Sequence, residues 1–290
     1  MLVHLDANAR LEDRTVILGA AGFVGGAIRA RLESAGADVL GLSSKDLDLL
    51  APDAAEALRG ILRDGDRLVF VSALAPCKDA PTLSRNVRMA EAVCAGSAGI
   101  ELSQLVYVSS DAVYADDENP VSEKSAAAPS SLHGAMHRVR ELMVQHGVSA
   151  PLAILRPSLL YGALDPHDGY GPNRFRRLAR EGSDIRLFGD GEETRDHVFI
   201  DDVGELALAV LRHKSEGTLN LATGQSTSFG DVARKVVEIF ESESAVVGTP
   251  RQNPVTHRHF DITATHKAFP SFRYTPLEEG LRKTRERAEA

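Results

Sequence analysis

One stretch near the start of the chain constrains the fold more than any other: residues 15–36, TVILGAAGFVGGAIRARLESAG. The β-branched run TVIL predicts a buried strand, and the apolar residues from Phe23 onward recur at helical spacing. Between them lie Gly19, Gly22 and Gly25. A strand, a tight glycine turn and a helix N-terminus in this order leave backbone N–H groups free to bind a pyrophosphate. The stretch therefore predicts dinucleotide binding rather than a turn without a ligand.

Composition limits the expected binding partners and the expected cellular compartment. A chain of 290 residues can bury a sizeable core, as one large α/β domain or as a main domain with a smaller lobe. The formal net charge of -8 disfavours a nucleic-acid partner, because phosphates would repel the protein overall. Cys77 and Cys94 form no disulfide framework, which favours a reduced, cytoplasmic setting. No apolar run reaches membrane-spanning length, so no membrane partner is expected, and residues 1–14 receive no role.

Three later motifs accompany the glycine loop. The predicted strand LVYV runs into residues 109–114, SSDAVY, and the strand LAILR runs into residues 157–162, PSLLYG. Further on lies GDGEETRDHVFIDDV, which contains Arg195. Together with the G-x-x-G-x-x-G spacing, these motifs resemble the extended short-chain dehydrogenases/reductases, and specifically the NAD-dependent epimerase/dehydratase family that modifies nucleotide sugars. The resemblance covers residues 15–284.

The resemblance implies a cofactor site along the carboxyl ends of the strands. Its residues would be Gly19, Ala21, Gly22, Phe23, Val24, Gly25, Ser43, Ser44, Asp48, Leu49, Ala73, Leu74, Ala75, Ser109, His137 and Pro157. An acidic residue at the end of the second nucleotide-binding strand would select NAD. Here that place holds Leu42 to Lys45, without a carboxylate to repel a 2′-phosphate, so NAD and NADP both stay open.

The resemblance also assigns catalytic positions. Ser110 falls on the Ser/Thr that hydrogen-bonds the reacting sugar oxygen, and Asp111 falls where 4,6-dehydratases carry their catalytic acid. Those enzymes carry Glu at the next position, whereas this chain has Ala112. Dehydration needs a second carboxyl group to move protons, so the departure disfavours that reaction.

The predicted helix in residues 129–144, PSSLHGAMHRVRELMV, departs furthest from the family. Relatives carry Tyr-x-x-x-Lys there, with Tyr as acid/base, and this chain has His133 and His137 on one helix face. An imidazole, with a reference pKa near ~6.5 against ~10 for Tyr, works near neutral pH without a neighbouring Lys. We favour His133 as acid/base over loss of activity. His at i and i+4 is also half of a zinc site, but no third ligand is evident, so no metal is expected.

Four residues are candidates for binding the substrate. By the same resemblance, Ser110 would hold the sugar, Arg195 would reach the diphosphate of a nucleotide sugar, and Arg251 would bind the other side of that diphosphate. Asn173 opens an arginine-rich helix, which is either a solvated basic face or a surface near the substrate phosphates. Two acidic residues of the GDGEETRDHVFIDDV motif have structural interpretations: Asp196 fixes a turn and Asp202 caps the following helix.

These observations predict an α/β fold with a Rossmann-type doubly wound parallel sheet and a smaller C-terminal substrate-binding lobe. Residues 1–165 and 196–222 would form the dinucleotide-binding domain, and 166–195 with 223–290 the lobe. The function expected is NAD(P)-dependent epimerisation or reduction of a nucleotide sugar. The alternative is a non-catalytic NAD(P)-binding sensor or scaffold.

The family further implies a homodimer. In relatives the helices after the third and fifth strands pack against a second copy as a four-helix bundle. The corresponding segments here, Leu83–Cys94 and Leu132–Val144, both carry apolar or small faces.

Overall fold

The computed structural model describes residues 2–116, 118–251 and 254–289. The strands are β1 (Val3–His4), β2 (Thr15–Leu18), β3 (Val39–Leu42), β4 (Arg67–Phe70), β5 (Gln104–Val108), β6 (Leu152–Pro157), β7 (Leu159–Tyr161), β8 (Ile185–Phe188), β9 (Thr194–Phe199), β10 (Ser215–Leu221), β11 (Ser226–Ser228) and β12 (Val246–Thr249). The helices are α1 (Phe23–Ser34), α2 (Ala54–Ile61), α3 (Ala80–Ser97), α4 (Leu132–Gly147), α5 (Pro172–Arg180), α6 (Ile200–Arg212), α7 (Phe229–Ile239), α8 (Thr263–Ala268) and α9 (Leu277–Glu289). A short 3-10 turn spans Asp111–Val113.

A seven-stranded sheet in the order β1-β10-β6-β5-β4-β2-β3 forms the main domain. Six of its strands run parallel, and β2 lies between β3 and β4 with Leu18 opposite Leu42 and Phe70. The strands β2, β4 and β5 are buried along their whole length, as expected for a parallel sheet covered on both faces. One face packs on α1 and α6, and the other on α2, α3 and α4. The predicted doubly wound α/β fold is therefore confirmed.

The C-terminal half adds two smaller sheets. One contains β11, β9 and β7, and the other pairs β12 with β8. The helices α5 and α7 pack together beside them, with Phe175 and Phe229 among their buried residues. Residues 196–199, which we had placed in the main domain, belong to β9 in the three-stranded sheet. The exact division into two domains stays a prediction.

The N-terminal segment has a role that the sequence did not reveal. We expected the first strand at Thr15, but β1 precedes it and pairs antiparallel with β10 at the sheet edge. The His4 imidazole fastens this strand, because Nδ1 hydrogen-bonds Ser215 Oγ at 2.7 Å and Nε2 hydrogen-bonds the Ala268 carbonyl at 2.9 Å. A two-residue strand gives no periodic signal, since its partner and not its own pattern defines it.

The prediction for Asp202 was wrong. The residue lies inside the first turn of α6, which begins at Ile200, and its carboxylate accepts hydrogen bonds from the backbone N–H and hydroxyl of Thr275 at 2.9 and 2.8 Å. It therefore ties α6 to the chain before α9 instead of capping the helix. Asp196 does fix a turn, as predicted, by accepting the backbone N–H groups of Thr223 and Gly224 at 2.8 Å.

Candidate functional site

A cavity of about 1010 Å³ opens along the carboxyl ends of the parallel strands. All the predicted cofactor-binding residues line this cavity, and so do Ser110, Asp111, His133 and Asn173. Ligands of open α/β sheets bind at this end of the strands, where the strand order reverses. The site predicted from separate motifs is thus one continuous space.

The glycine loop holds the N-terminus of α1 open. Gly19 has a φ of +95°, which favours glycine, and its N–H donates to the Leu42 carbonyl at 2.8 Å. A Cβ atom on Gly25 would lie 2.1 Å from the Gly19 carbonyl oxygen, so only glycine lets the helix start this close to the strand. Gly22 is the N-cap, and no side chain of the described residues caps it. The free N–H groups and the positive end of the helix dipole can therefore face an anion.

Residues 42–45 carry no carboxylate, and the acid that follows them, Asp46, is not among the residues that line the cavity. Asp46 folds back so that its Oδ2 accepts hydrogen bonds from the Ser43 backbone N–H at 2.8 Å and the Ser43 hydroxyl at 2.6 Å. These bonds from Ser43 lower the pKa of Asp46, which keeps the side chain ionised. The sequence did not show this because the acid stands four residues beyond the strand and returns through a turn.

The start of α4 is fixed by a cap and a close contact. Ser131 Oγ accepts the Gly134 N–H at 3.1 Å, which satisfies one of the free donors of the helix. A Cβ atom on Gly134 would lie 1.9 Å from the Ala112 carbonyl oxygen, so the helix rests directly on the 3-10 turn after β5. This contact brings His133 and His137 to the cavity wall. Sequence analysis missed Gly134, although a glycine inside a helix is a signal of close packing.

His137 is held as a neutral ring. Only 6% of the residue is exposed, and its Nδ1 lies 2.8 Å from the hydroxyl oxygen of Tyr107. Burial, helped by the charge of Arg140, holds the pKa of His137 well below the ordinary range. It therefore lines the cavity without carrying a positive charge.

His133 lies in the first turn of the same helix. Its Nδ1 accepts a long hydrogen bond, 3.4 Å, from the Cys77 backbone N–H, and its ring meets that of His137 edge-on at 4.9 Å between centroids. Burial, with a smaller contribution from His167, lowers the pKa of His133. A neutral imidazole with one ring nitrogen left for a ligand is the form that this environment favours.

Ser110 and Asp111 form the opposite wall. Ser110 Oγ accepts the Ala112 N–H at 3.1 Å and lies 3.4 Å from Asp111 Oδ1. Burial raises the pKa of Asp111, and the charges of Arg258 and Arg195 oppose that shift. Arg258 also donates to the Asp111 carbonyl at 3.0 Å, a contact that sequence analysis did not foresee. The carboxyl group of Asp111 can therefore carry a proton at a higher pH than an exposed Asp.

The three predicted substrate residues beyond Ser110 already have protein partners. The Asn173 carboxamide bridges the Leu160 carbonyl at 2.9 Å and the Gly162 N–H at 3.1 Å. Arg195 donates to the carbonyl and hydroxyl of Thr256 at 2.8 and 2.7 Å.

Arg251 forms ion pairs with Glu192 at 2.8 Å and Glu193 at 3.3 Å. Within the described part of the chain, neither Arg195 nor Arg251 lines the cavity wall, and their binding roles stay predictions.

A buried ion pair holds the cavity wall in place. Glu141 of α4 binds Arg156 of β6 through both carboxylate oxygens, at 2.8 and 2.7 Å, and also accepts the Ser109 hydroxyl at 2.6 Å. Arg156 in turn donates to the Tyr114 hydroxyl at 2.8 Å. Removing one member would leave a buried charge without its partner, so this network fixes α4 against the strand ends.

Two further features of the described residues concern metal binding and membrane insertion. Residues 2–116, 118–251 and 254–289 contain no group of three or more His, Cys, Asp or Glu side chains placed to hold a metal ion. Over the same ranges, every helix is too short or too polar to cross a lipid bilayer.

Comparison with known proteins agrees with the geometry. The model of the NAD dependent epimerase/dehydratase family matches residues 15–222. The chain belongs to this family. Among family relatives, the dTDP-L-rhamnose 4-epimerase of Burkholderia thailandensis is 32% identical over 152 residues, which are 49% of this chain and 42% of that protein. The UDP-N-acetyl-alpha-D-glucosaminuronate decarboxylase of Bacillus cytotoxicus is 26% identical over 204 residues, 62% of each chain. The matches thus span about half of these relatives.

Solved structures of the epimerase/dehydratase type share the fold. MoeE5 in complex with UDP-glucose and NAD superposes with a TM-score of 0.79 at 21% identity, over 94% of this chain and 97% of that chain. At this identity the likeness establishes the fold alone. It confirms the Rossmann-type architecture that the glycine loop predicted.

Proposed function

We propose that the protein is an NAD(P)-dependent epimerase or reductase that acts on a nucleotide sugar. The observation that carries the proposal is the single cavity that joins the open glycine loop to Ser110, Asp111 and His133. A dinucleotide at the glycine loop would extend along the strand ends towards these side chains. The names of the relatives, an epimerase and a decarboxylase of nucleotide sugars, support this substrate class.

The residues present fit a dinucleotide. The N-terminus of α1 offers uncapped N–H groups for the pyrophosphate, and the small residues Ala73 and Ala75 let a ligand pass close to β4. The Asp46 carboxylate is bonded to Ser43 and is not among the residues that line the cavity, so NAD and NADP both stay open. When bound, the nicotinamide would supply the hydride acceptor and donor of the reaction.

Ser110 and His133 would then act on the sugar. Ser110 would hydrogen-bond the reacting oxygen, and His133 would take the hydroxyl proton as hydride leaves the carbon and return it later. With Nδ1 accepting from Cys77, the hydrogen of the neutral ring sits on Nε2. To take the hydroxyl proton on Nε2, His133 would first have to carry its hydrogen on Nδ1, which gives up the long 3.4 Å bond from the Cys77 N–H.

The test compares the parent with His133→Phe in assays with NAD and NADP on a panel of UDP-, dTDP-, GDP- and CDP-sugars. We expect the variant to lose roughly 10²–10⁴-fold in activity, the usual scale for one acid/base group, with cofactor affinity little changed. His146→Phe, at an exposed position of the same helix, is the control and should retain activity. A His133→Phe protein as active as the parent would exclude the histidine mechanism.

The second candidate is a non-catalytic NAD(P)-binding protein. The observation in its favour is that burial lowers the pKa of both His133 and His137, the two residues that we predict to stand where the family carries Tyr and Lys. Tight binding of NAD without redox change on any sugar of the panel would support it. Gain of activity in a His133→Tyr/His137→Lys double variant would show that the rest of the site is intact.

We also propose a cytoplasmic homodimer. The helices α3 and α4 pack side by side, and α4 exposes Leu132, Val139 and Leu142 by 41%, 39% and 39%. Exposed apolar side chains along one helix pair support a contact with a second copy. A monomer mass in light scattering at micromolar concentration would contradict the dimer. Both cysteines are free, which suits a reducing compartment.

A further inference from the structure

Tyr107 is a buried polar residue that the proposed reaction does not use. It lies in β5 with none of its surface exposed, and its ring packs on Phe70 at 5.5 Å between centroids. The guanidinium of Arg140 lies 5.3 Å from the centre of the same ring. Its hydroxyl is 2.8 Å from Nδ1 of His137, the one hydrogen-bond partner that the described residues give it.

The direction of this hydrogen bond follows from the burial of the phenol. A buried hydroxyl hydrogen needs an acceptor, and His137 Nδ1 is the acceptor within reach. If Nδ1 carried a hydrogen and donated it to the phenol oxygen, the hydroxyl hydrogen would be left without a partner. Burial also raises the pKa of Tyr107 to about 12, so the phenol keeps its proton. The Tyr107 hydroxyl therefore donates and His137 Nδ1 accepts.

This direction determines where the hydrogen of the imidazole sits. A neutral histidine has one N–H, and with Nδ1 accepting, that hydrogen is on Nε2. Since Nδ1 faces the sheet and His137 lines the cavity, Nε2 is the ring nitrogen available to a ligand. Nothing in the described part of the chain hydrogen-bonds Nε2.

We propose that Tyr107 is a positioning residue that fixes the tautomer of His137, so that the ring offers a neutral Nε2–H donor to an oxygen of the bound cofactor. The identity of that ligand, a ribose hydroxyl of a dinucleotide, rests on the proposed function. His137 would thus donate from an uncharged N–H group, where a lysine would donate from a charged ammonium. The hydrogen bond to the ligand is kept without adding a positive charge to the cavity wall.

The surroundings of His137 keep the ring uncharged. Arg140 follows one turn later on α4 and donates to the Ser72 carbonyl at 2.5 Å, which places a buried cation nearby. His133 faces the ring from the other side, at 4.9 Å. The nearest carboxylate on α4, Glu141, is already paired with Arg156 and Arg138. No negative charge among these groups favours an imidazolium.

The first experiment measures the tautomer itself. The parent protein, labelled with ¹⁵N histidine, is examined by NMR without any ligand, and the His137 signals are assigned as those missing from His137→Gln. We expect an unprotonated Nδ1 and a protonated Nε2. A protonated Nδ1 in the parent would overturn the proposal, whatever the protein binds.

The second experiment compares Tyr107→Phe with Tyr161→Phe, which removes another buried phenol hydroxyl, one that donates to the Leu277 carbonyl at 3.3 Å. In Tyr107→Phe we expect the second tautomer of His137 to appear and NAD affinity to fall roughly fivefold, the scale of one neutral hydrogen bond. Tyr161→Phe should change neither the tautomer nor NAD affinity.

Equal loss of affinity in both variants would show a general effect of lost stability and would overturn the positioning role. If the parent binds no dinucleotide, the proposed function fails and the ligand assigned to Nε2–H fails with it. The tautomer spectrum then still decides whether Tyr107 orients His137.

Discussion

Two helix N-termini border the cavity, and they are built in opposite ways. At α1 the N-cap is Gly22, and no side chain of the described residues caps the backbone N–H groups of the first turn. At α4 the hydroxyl of Ser131 accepts the Gly134 N–H at 3.1 Å. Both helices start against a carbonyl oxygen that only a glycine allows, at Gly25 in α1 and at Gly134 in α4.

The two helix ends differ in the groups that they offer to a ligand: backbone N–H groups at α1 and side chains at α4. The open end of α1 binds through N–H groups, so its chemistry depends on chain geometry and glycines. The closed end of α4 contributes side chains to the cavity, among them His133 and His137. A backbone site keeps its function only if the glycines stay, whereas a side-chain site can change its chemistry while the fold remains.

The largest effect is expected where the backbone geometry is broken. In Gly25→Ala the new Cβ would lie 2.1 Å from the Gly19 carbonyl oxygen, so α1 has to move away from β2. We expect a loss of about 3 kcal/mol of unfolding free energy, the upper range for overpacking, together with loss of NAD binding. Chemical denaturation and NAD titration measure the two effects.

The neighbouring Gly26→Ala is the matched control. Its Cβ would meet its nearest neighbour, the Ala20 carbonyl oxygen, at 3.6 Å, an ordinary contact. Alanine should raise stability by roughly 0.5–1 kcal/mol there through helix propensity. If Gly25→Ala is as stable as Gly26→Ala and still binds NAD, the close contact does not govern the site.

A smaller effect, dependent on pH, is expected at α4. His137 has a lowered pKa in the folded protein, so below pH ~6.5 the unfolded chain takes up a proton that the folded ring refuses. Stability is unaffected above that pH and falls as the pH drops, by about 1.4 kcal/mol per pH unit for this residue. In His137→Gln the unfolding free energy should lose about 2 kcal/mol less than the parent between pH 6.5 and pH 5.

The control for this slope is His146→Gln, at an exposed position of α4. We expect its unfolding free energy to follow the parent across the same range. A His137→Gln slope equal to that of the parent would mean that the ring is protonated in the folded state as readily as in the unfolded one.

The parts of this molecule that were predictable are those whose cause is local. The glycine loop and the buried strands can be recognised from about twenty consecutive residues. The structure places their residues around one cavity, as expected. Asp202 was misjudged because its partner, Thr275, lies 73 residues further on. Asp46 was overlooked because a turn brings it back to Ser43.

Tyr107 illustrates the same limit within the site. In LVYVSS it looks like one more core residue of a parallel strand, and its contact with His137 joins positions 30 residues apart. One signal was available: a Tyr among aliphatic residues in a fully buried strand needs a partner for its hydroxyl. The sequence says that a partner is needed, but only the packing of α4 on β5 shows which one.

The edge strand β1 has a consequence for how the chain folds during synthesis. His4 bonds to Ser215, which is 211 residues later, so β1 leaves the ribosome long before the strand with which it pairs. Until β10 is made, the edge of β6 that will receive it stays open and β1 has nothing to pair with. Contacts of such long sequence separation form slowly, because a large loop has to close first. The strand β1 can therefore join the main sheet only after β10 has been made and has paired with β6.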